Sequence, residues 1–175
     1  RMLEFKGKAN IFHSRDEALA GIKAGKVKPG DVVVLRGLGV IGGPGMAMTS
    51  AVIFALDGAG LLDRVAAITE GQLSGLVNHG LVPGEASPEA AAGGPLAFVE
   101  NGDTISIDVK RKVVDLEVPE SVLAERRKSA RTTSKKSRRL ASTRRPGKRK
   151  SISSASTRLR ARSSARRSSE NPRRP

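Results

Sequence analysis

The stretch EGQLSG, residues 70–75, sets the hydroxyl of Ser74 between two glycine-flanked turns, and His79 follows five residues later in the same glycine-rich loop. A hydroxyl and an imidazole so close in the chain are groups that can take up and return a proton. Gly, Ser and Asn also favour turns for backbone reasons, so Ser74 reads either as a base or as an ordinary turn serine. Upstream, GLGVIGGPGMAM holds five glycines within residues 37–45. Backbone can approach an anion closely in such a loop, and its N–H groups, followed by a helix, can hold a carboxylate or phosphate. The spacing is neither that of a dinucleotide-binding loop nor that of a Walker loop, and a run of tight turns is the plainer reading. Glu85 and Glu89 could serve as metal ligands, but Glu89 falls in a first helical turn, where a carboxylate is favoured by the helix dipole alone.

The elements that would position these groups alternate between helix and strand. In HSRDEALAGIKAG, Ser14 and Glu17 form a capping box and Gly25 suits a left-handed stop, which predicts a helix from about residue 15 to 24. A Pro-Gly turn feeds the β-branched run Val32 to Leu35, continuous enough for a strand covered on both faces. VAAIT, residues 65–69, reads as a second such strand. The apolar run MAMTSAVIFALDGAGLL is interrupted by Asp57, Gly58 and Gly60, is short for a membrane span, and reads as a buried helix. SPEAAAGG predicts a short helix with Ser87 as cap, Pro88 in first place and Gly93-Gly94 as the stop. PLAFVE, the turn NGD, TISIDV, the basic turn KRK and VVDLEV read as an antiparallel meander. Val32 to Leu35, Ile68, Leu96, Phe98, Ile105 and Ile107 are the expected core.

Composition divides the chain in two. Residues 126–175 hold 20 of the 32 Lys and Arg and one acidic residue, Glu170, for a charge of +19; residues 1–125 carry −4. All four phenylalanines lie in the first part, which is expected to form one globular domain over residues 1–125. The second part has no aromatic residue and three large aliphatics, Leu140, Ile152 and Leu159, too little apolar surface to offset the entropy of ordering. It reads as a disordered tail able to bind phosphate backbones non-specifically, without stacking on bases. Cysteine is absent, which excludes a disulfide framework and thiolate metal sites within this chain. The first residues, RMLEFKGKANIF, lack the apolar stretch of a signal peptide, and a cytoplasmic location is the expectation.

Six stretches in order, AGKVKPGDVVVLRG, GGPGM, GAGL, ITEGQLSG, SPEAAAGGPLAFVENGDTISIDV and LAERR, resemble the C-terminal domain of the dihydroxy-acid dehydratase and 6-phosphogluconate dehydratase family, from about Phe5 to Arg127. The resemblance implies an α/β, β-rich fold, an aconitase-like swivelling β/β/α domain with a barrel-like sheet. It implies a hydro-lyase that dehydrates 2,3-dihydroxy acids to 2-keto acids, with an iron–sulfur cluster and Mg²⁺ held largely by an N-terminal domain outside this chain. Ser74 matches the serine of DGRFSG, which the family uses as an alkoxide base. Gly42, Gly43, Gly45 and Met46 of the first loop, with Gly75 and His79 of the second, are the expected substrate contacts.

The departures are specific. The motif YEGPKGGPGMREM becomes GLGVIGGPGMAM, so its glutamates fall on Leu38 and Met48, and a thioether is a poor ligand for a hard cation. The aspartate and arginine around the serine become Glu70 and Gln72. His79 stands where relatives carry arginine and reads more plainly as a partly exposed loop histidine. Expected partners are the missing N-terminal domain, a small hydroxy-acid substrate and a second copy in a homodimer. A second functional reading is a non-catalytic remnant whose basic tail binds nucleic acid or anionic surfaces. The tail itself reads as a frame-shifted or drifted ending, a solvated spacer, or a nucleic-acid arm.

Overall fold

A computed structural model describes residues 2–46, 48–77 and 79–130 of the chain. Strands β1 (Glu4–Phe12), β2 (Asp31–Leu35) and β3 (Ala66–Thr69) alternate with helices α1 (Arg15–Lys23) and α2 (Thr49–Gly58). Two single 3₁₀ turns, Ala90–Ala92 and Pro95–Phe98, precede β4 (Thr104–Asp108) and β5 (Val113–Leu116), and residues 120–130 are helical. The five strands form one sheet in the order β3-β2-β1-β4-β5. β1 pairs parallel with β2 and β2 with β3, whereas β4 is antiparallel to both β1 and β5. Ile68 of β3 and Leu116 of β5, on opposite edges of the sheet, line the same cavity of about 330 Å³, so the sheet curls into a half-barrel.

β2 explains why both faces are filled. Val32, Val33, Val34 and Leu35 are completely buried, and alternation sends Val33 and Leu35 to one side and Val32 and Val34 to the other. Val33 and Leu35 meet Ala18 and Ile22 of α1 and Val52, Ile53 and Leu56 of α2. Val32 and Val34 meet Ile68, Leu81, Leu96, Val99, Ile105 and Ile107 within the curl. α1 starts where its capping box predicts: Ser14 Oγ accepts from Glu17 N–H at 3.1 Å, and the Glu17 carboxylate accepts from His13 N–H at 2.7 Å. It stops at Gly25, whose left-handed φ of 66° turns the chain so that Lys26 N–H reaches Gly21 O at 2.9 Å. α2 is buried along one face only, with Phe54 exposed.

Three expectations are corrected. β1 carries no strand signal in its sequence, yet it is the central strand and the antiparallel neighbour of β4, the place expected for PLAFVE. PLAFVE coils instead, so that Leu96 and Val99 drop into the core while Arg36 donates to the Leu96 and Val99 carbonyls at 3.1 and 2.9 Å, acceptors that no sheet partner meets. SPEAAAGG forms one 3₁₀ turn from Ala90, with Ser87 exposed and no side-chain cap, because Gly93 at φ 83° ends it three residues later. Phe98 is half-buried, with the Arg127 guanidinium 5.6 Å from its ring centre, rather than a core residue.

The helix over residues 120–130 runs across position 126, where composition predicts the start of a disordered tail. Arg126 fixes it there, donating to Phe98 O at 2.9 Å and to both Asp103 carboxylate oxygens at 2.6 and 3.1 Å. The remainder of the expected tail, 131–175, lies outside the described residues.

Burial pushes the Asp103 carboxyl up, but hydrogen bonds from Arg126 and from Glu100 N–H, with the Arg126 charge, outweigh it and hold the pKa below its ordinary value. A carboxyl so depressed stabilises the fold above its unfolded value of about 3.9 and loses that contribution as pH falls through the folded one. The stability difference between the wild type and Asp103→Asn, read from denaturant melts, should therefore shrink below about pH 4. Ile107, 3% exposed in β4, packs in the apolar cluster with Ile105, Leu96 and Val99. Ile107→Asp should cost several kcal/mol and abolish cooperative thermal unfolding by circular dichroism.

Candidate active site

β2 and β3 are parallel neighbours with Leu35 opposite Thr69, so the glycine loop after β2 and the EGQLSG turn after β3 leave the sheet side by side. Loops at the carboxyl ends of adjacent parallel strands are a common place for ligands in open sheets. The two loops join where Gln72 N–H donates to Gly45 O at 2.7 Å, with Gly45 buried and left-handed at φ 76°. The GGPGM and EGQLSG turns thus lie at one end of the half-barrel.

Glu70, 4% exposed, is the first residue beyond β3. One carboxylate oxygen accepts from Gly37 N–H and the other from Ala90 N–H, both at 2.7 Å. A single side chain therefore joins the glycine loop, the serine loop and the 3₁₀ turn at 90–92. Glu89 makes a second tie: its Oε2 accepts from Ile41 N–H at 2.9 Å and from Gly42 N–H at 3.3 Å. Its carboxylate, read from the sequence as serving its own helical turn, serves another loop, because the 3₁₀ turn begins only after it. Glu85 holds a left-handed φ of 53° next to this junction, and its N–H donates to Gly71 O at 3.3 Å.

Between these ties opens a cleft of about 350 Å³ bordered by Val40, Gly45, Glu70, Gln72, Glu85 and Glu89, with Ala86 and Ser87. Its lining bears three carboxylates and no Lys or Arg, so its field opposes a free anion except where backbone N–H groups are available. Of the substrate contacts expected from sequence, Gly45 alone is in this lining. Ser74 sits two residues beyond Gln72, half-buried, with its Oγ accepting from Leu76 N–H at 3.4 Å and its carbonyl from Val77 N–H at 3.0 Å. Gly42 and Gly43 are exposed, and Gly43 N–H is spent on Gly39 O at 2.8 Å. Met46, Gly75 and His79 are exposed, and His79 makes no side-chain hydrogen bond among the described residues.

The positions where the resemblance places the motif's two glutamates, the second of them the implied magnesium ligand, do not suit a hard cation. Leu38 is buried in the core, and Met48, 59% exposed, presents a soft sulfur that accepts from Arg15 Nη1 at 3.5 Å. Among the described residues, no group of three or more His, Cys, Asp or Glu side chains is placed to hold a metal. Glu70 and Glu89 went unrecognised as cleft residues. An acid directly after the run VAAIT was the signal for Glu70; nothing local marked the reach of Glu89 across 47 and 48 residues.

The profile of the family described as "Dihydroxy-acid/6-phosphogluconate dehydratase C-terminal" matches residues 1–157. The chain belongs to that family. Among curated relatives it is 52% identical over 131 residues to a dihydroxy-acid dehydratase of Methanothrix thermoacetophila, covering 75% of this chain and 24% of the relative. It is 46% identical over 137 residues to the dihydroxy-acid dehydratase of Anaeromyxobacter sp., covering 78% and 24%. With that of Aquifex aeolicus it shares 49% over 129 residues, covering 74% and 23%. The chain thus spans about a quarter of the length of these relatives. No helix among the described residues of this dehydratase C-terminal domain is long and apolar enough to cross a membrane.

In this dehydratase-family domain Glu70 carries two charge-assisted bonds. Glu70→Ala, which strands the Gly37 and Ala90 N–H groups, should cost about 2–4 kcal/mol in denaturant melts. Amide exchange at Gly37 and Ala90 should accelerate more than at β2.

Proposed function

We propose that this chain is the C-terminal part of a hydro-lyase that converts 2,3-dihydroxy acids to 2-keto acids, and that it is inactive without the remainder of the enzyme. The observation that carries the reading is the Gln72 N–H bond to Gly45 O, which brings the serine turn and the glycine loop of a dehydratase-family domain to one edge. The half-barrel with α1 and α2 on one face supports assignment to the aconitase-like swivelling domains.

Ser74 is the proposed base. Its Oγ would take the proton from C2, the C3 hydroxyl would leave as water with a proton supplied from outside this chain to give an enol, and tautomerisation would yield the 2-keto acid. Leu76 N–H, donating to Oγ, favours the charged alkoxide over the neutral hydroxyl. One such donor is far too little for a hydroxyl to act as a base near neutral pH, so the rest of its activation falls to groups outside this chain. The iron–sulfur cluster and Mg²⁺ implied by the family would also be held there, since this chain has no cysteine and places Leu38 and Met48 at the acid positions.

The face around the cleft supports a further covering body. Val40, which borders the cleft, and Ile41, Met46, Met48 and Leu76 in the two loops beside it expose between 50% and 80% of their surface, five large apolar side chains within two neighbouring loops. We assign the remaining three-quarters of the dehydratase as that partner, in cis or in trans.

The purified chain should form no 2-keto acid from 2,3-dihydroxy acids. Joined to the N-terminal part of the Methanothrix thermoacetophila relative, it should gain turnover, and Ser74→Ala in that chimera should lower kcat about 10²–10⁴-fold with little change in KM. Unchanged turnover in the variant would remove Ser74 from the mechanism; turnover by the isolated chain would remove the requirement for the partner.

A further inference from the structure

The N–H groups of Ile41 and Gly42 point at one oxygen of Glu89, at 2.9 and 3.3 Å. Gly39 makes the approach possible, because a Cβ there would occupy the space of the Glu89 carboxylate itself. Successive backbone N–H groups converging on a concavity without side chains form a nest for an anion. Glu89 reaches it from the far side of the cleft, and no Lys, Arg or His is paired with its carboxylate among the described residues.

We propose that the Ile41–Gly42 nest is a carboxylate-binding site and that Glu89 is its built-in, displaceable occupant. A tethered carboxylate already rests in the nest, which shows that its donors accommodate one negative charge despite Glu70 and Glu85 on the same cleft. The Gly37 N–H, by contrast, is held by the 4%-exposed Glu70, so that end of the loop stays fixed when Glu89 leaves. Glu89 stands just before the 3₁₀ turn at Ala90–Ala92 and is half-buried, so its side chain reaches solvent as that of the 4%-exposed Glu70 does not. The ligand class is a small organic acid presenting one carboxylate to two N–H groups. That this acid is the dihydroxy-acid substrate rests on the dehydratase reading; the nest and its plug do not. In the chain as it stands, Glu89 competes with such a ligand at high effective concentration, and the ligand must displace it.

Acetate, which reproduces the end of the Glu89 side chain, is the probe. In Glu89→Ala, acetate should move the Ile41 and Gly42 amide resonances saturably and raise the melting temperature, whereas chloride at equal ionic strength should do neither. The wild type should show no such response. Adding Gly39→Ala to Glu89→Ala should abolish the response by filling the nest. If Glu89→Ala is largely unfolded, acetate should raise its folded fraction, because a ligand of the native state draws the equilibrium towards it. A folded Glu89→Ala indifferent to acetate, an unfolded one that acetate fails to restore, or an equal response in the wild type overturns the proposal. Failure of the chimera to turn over would leave the acetate result intact, so the two readings fail separately.

Discussion

A carboxylate buried at the end of a strand cannot be left without donors, and this domain meets that requirement with two backbone N–H groups from different loops. Glu70 leaves β3 as the sheet ends, at 4% exposure, and accepts from Gly37 and Ala90. Gly37 opens the glycine loop and Ala90 opens the 3₁₀ turn, so the geometry of both depends on one side chain. The cleft between them is a consequence of that arrangement, and the placement of Glu89 follows directly, one residue before Ala90.

The sheet delivers the loops to this junction. Parallel pairing of β2 with β3 brings two strand ends to the same edge, and only the crossover through α2 makes parallel pairing possible for strands so close in sequence. β1 then supplies the seam between the parallel half and the antiparallel β4–β5 hairpin. At the other end of the chain, Arg126 clasps Phe98 O and Asp103, so helix 120–130 belongs to the folded unit rather than to the basic segment that follows it in sequence.

Where the chain departs from the family motif, the local physics is self-consistent. Leu38, in place of a glutamate, enters the core beside Val52 and Leu56 instead of facing a cation. Met48 holds a left-handed backbone at the start of α2 and meets Arg15. Val40, Ile41 and Met46 leave the glycine loop apolar and open, while its N–H groups are taken by Glu70 and Glu89. The result is a cleft whose own carboxylates occupy the Gly37, Ile41 and Gly42 N–H groups of the glycine loop.

Local sequence determined what local forces control. The Ser14–Glu17 box and Gly25 set α1, the continuous β-branched run of β2 announced burial on both faces, and the alternation of Ile105 and Ile107 gave β4 its buried face. The order of six motifs identified the family, because motif order is a property of the chain itself. β1 stayed illegible: its EFKGKANIF carries two lysines and a glycine, and its place at the centre of the sheet comes from pairing with strands 21 and 96 residues away at the Asn10–Asp31 and Lys8–Thr104 contacts. PLAFVE had strand composition but no free ladder to join, since β1 already paired with β4. Glu70 and Glu89 were likewise decided by tertiary structure. A carboxylate's partners are the N–H groups that folding brings within about 3 Å, and those come from loops that sequence spacing alone does not place together.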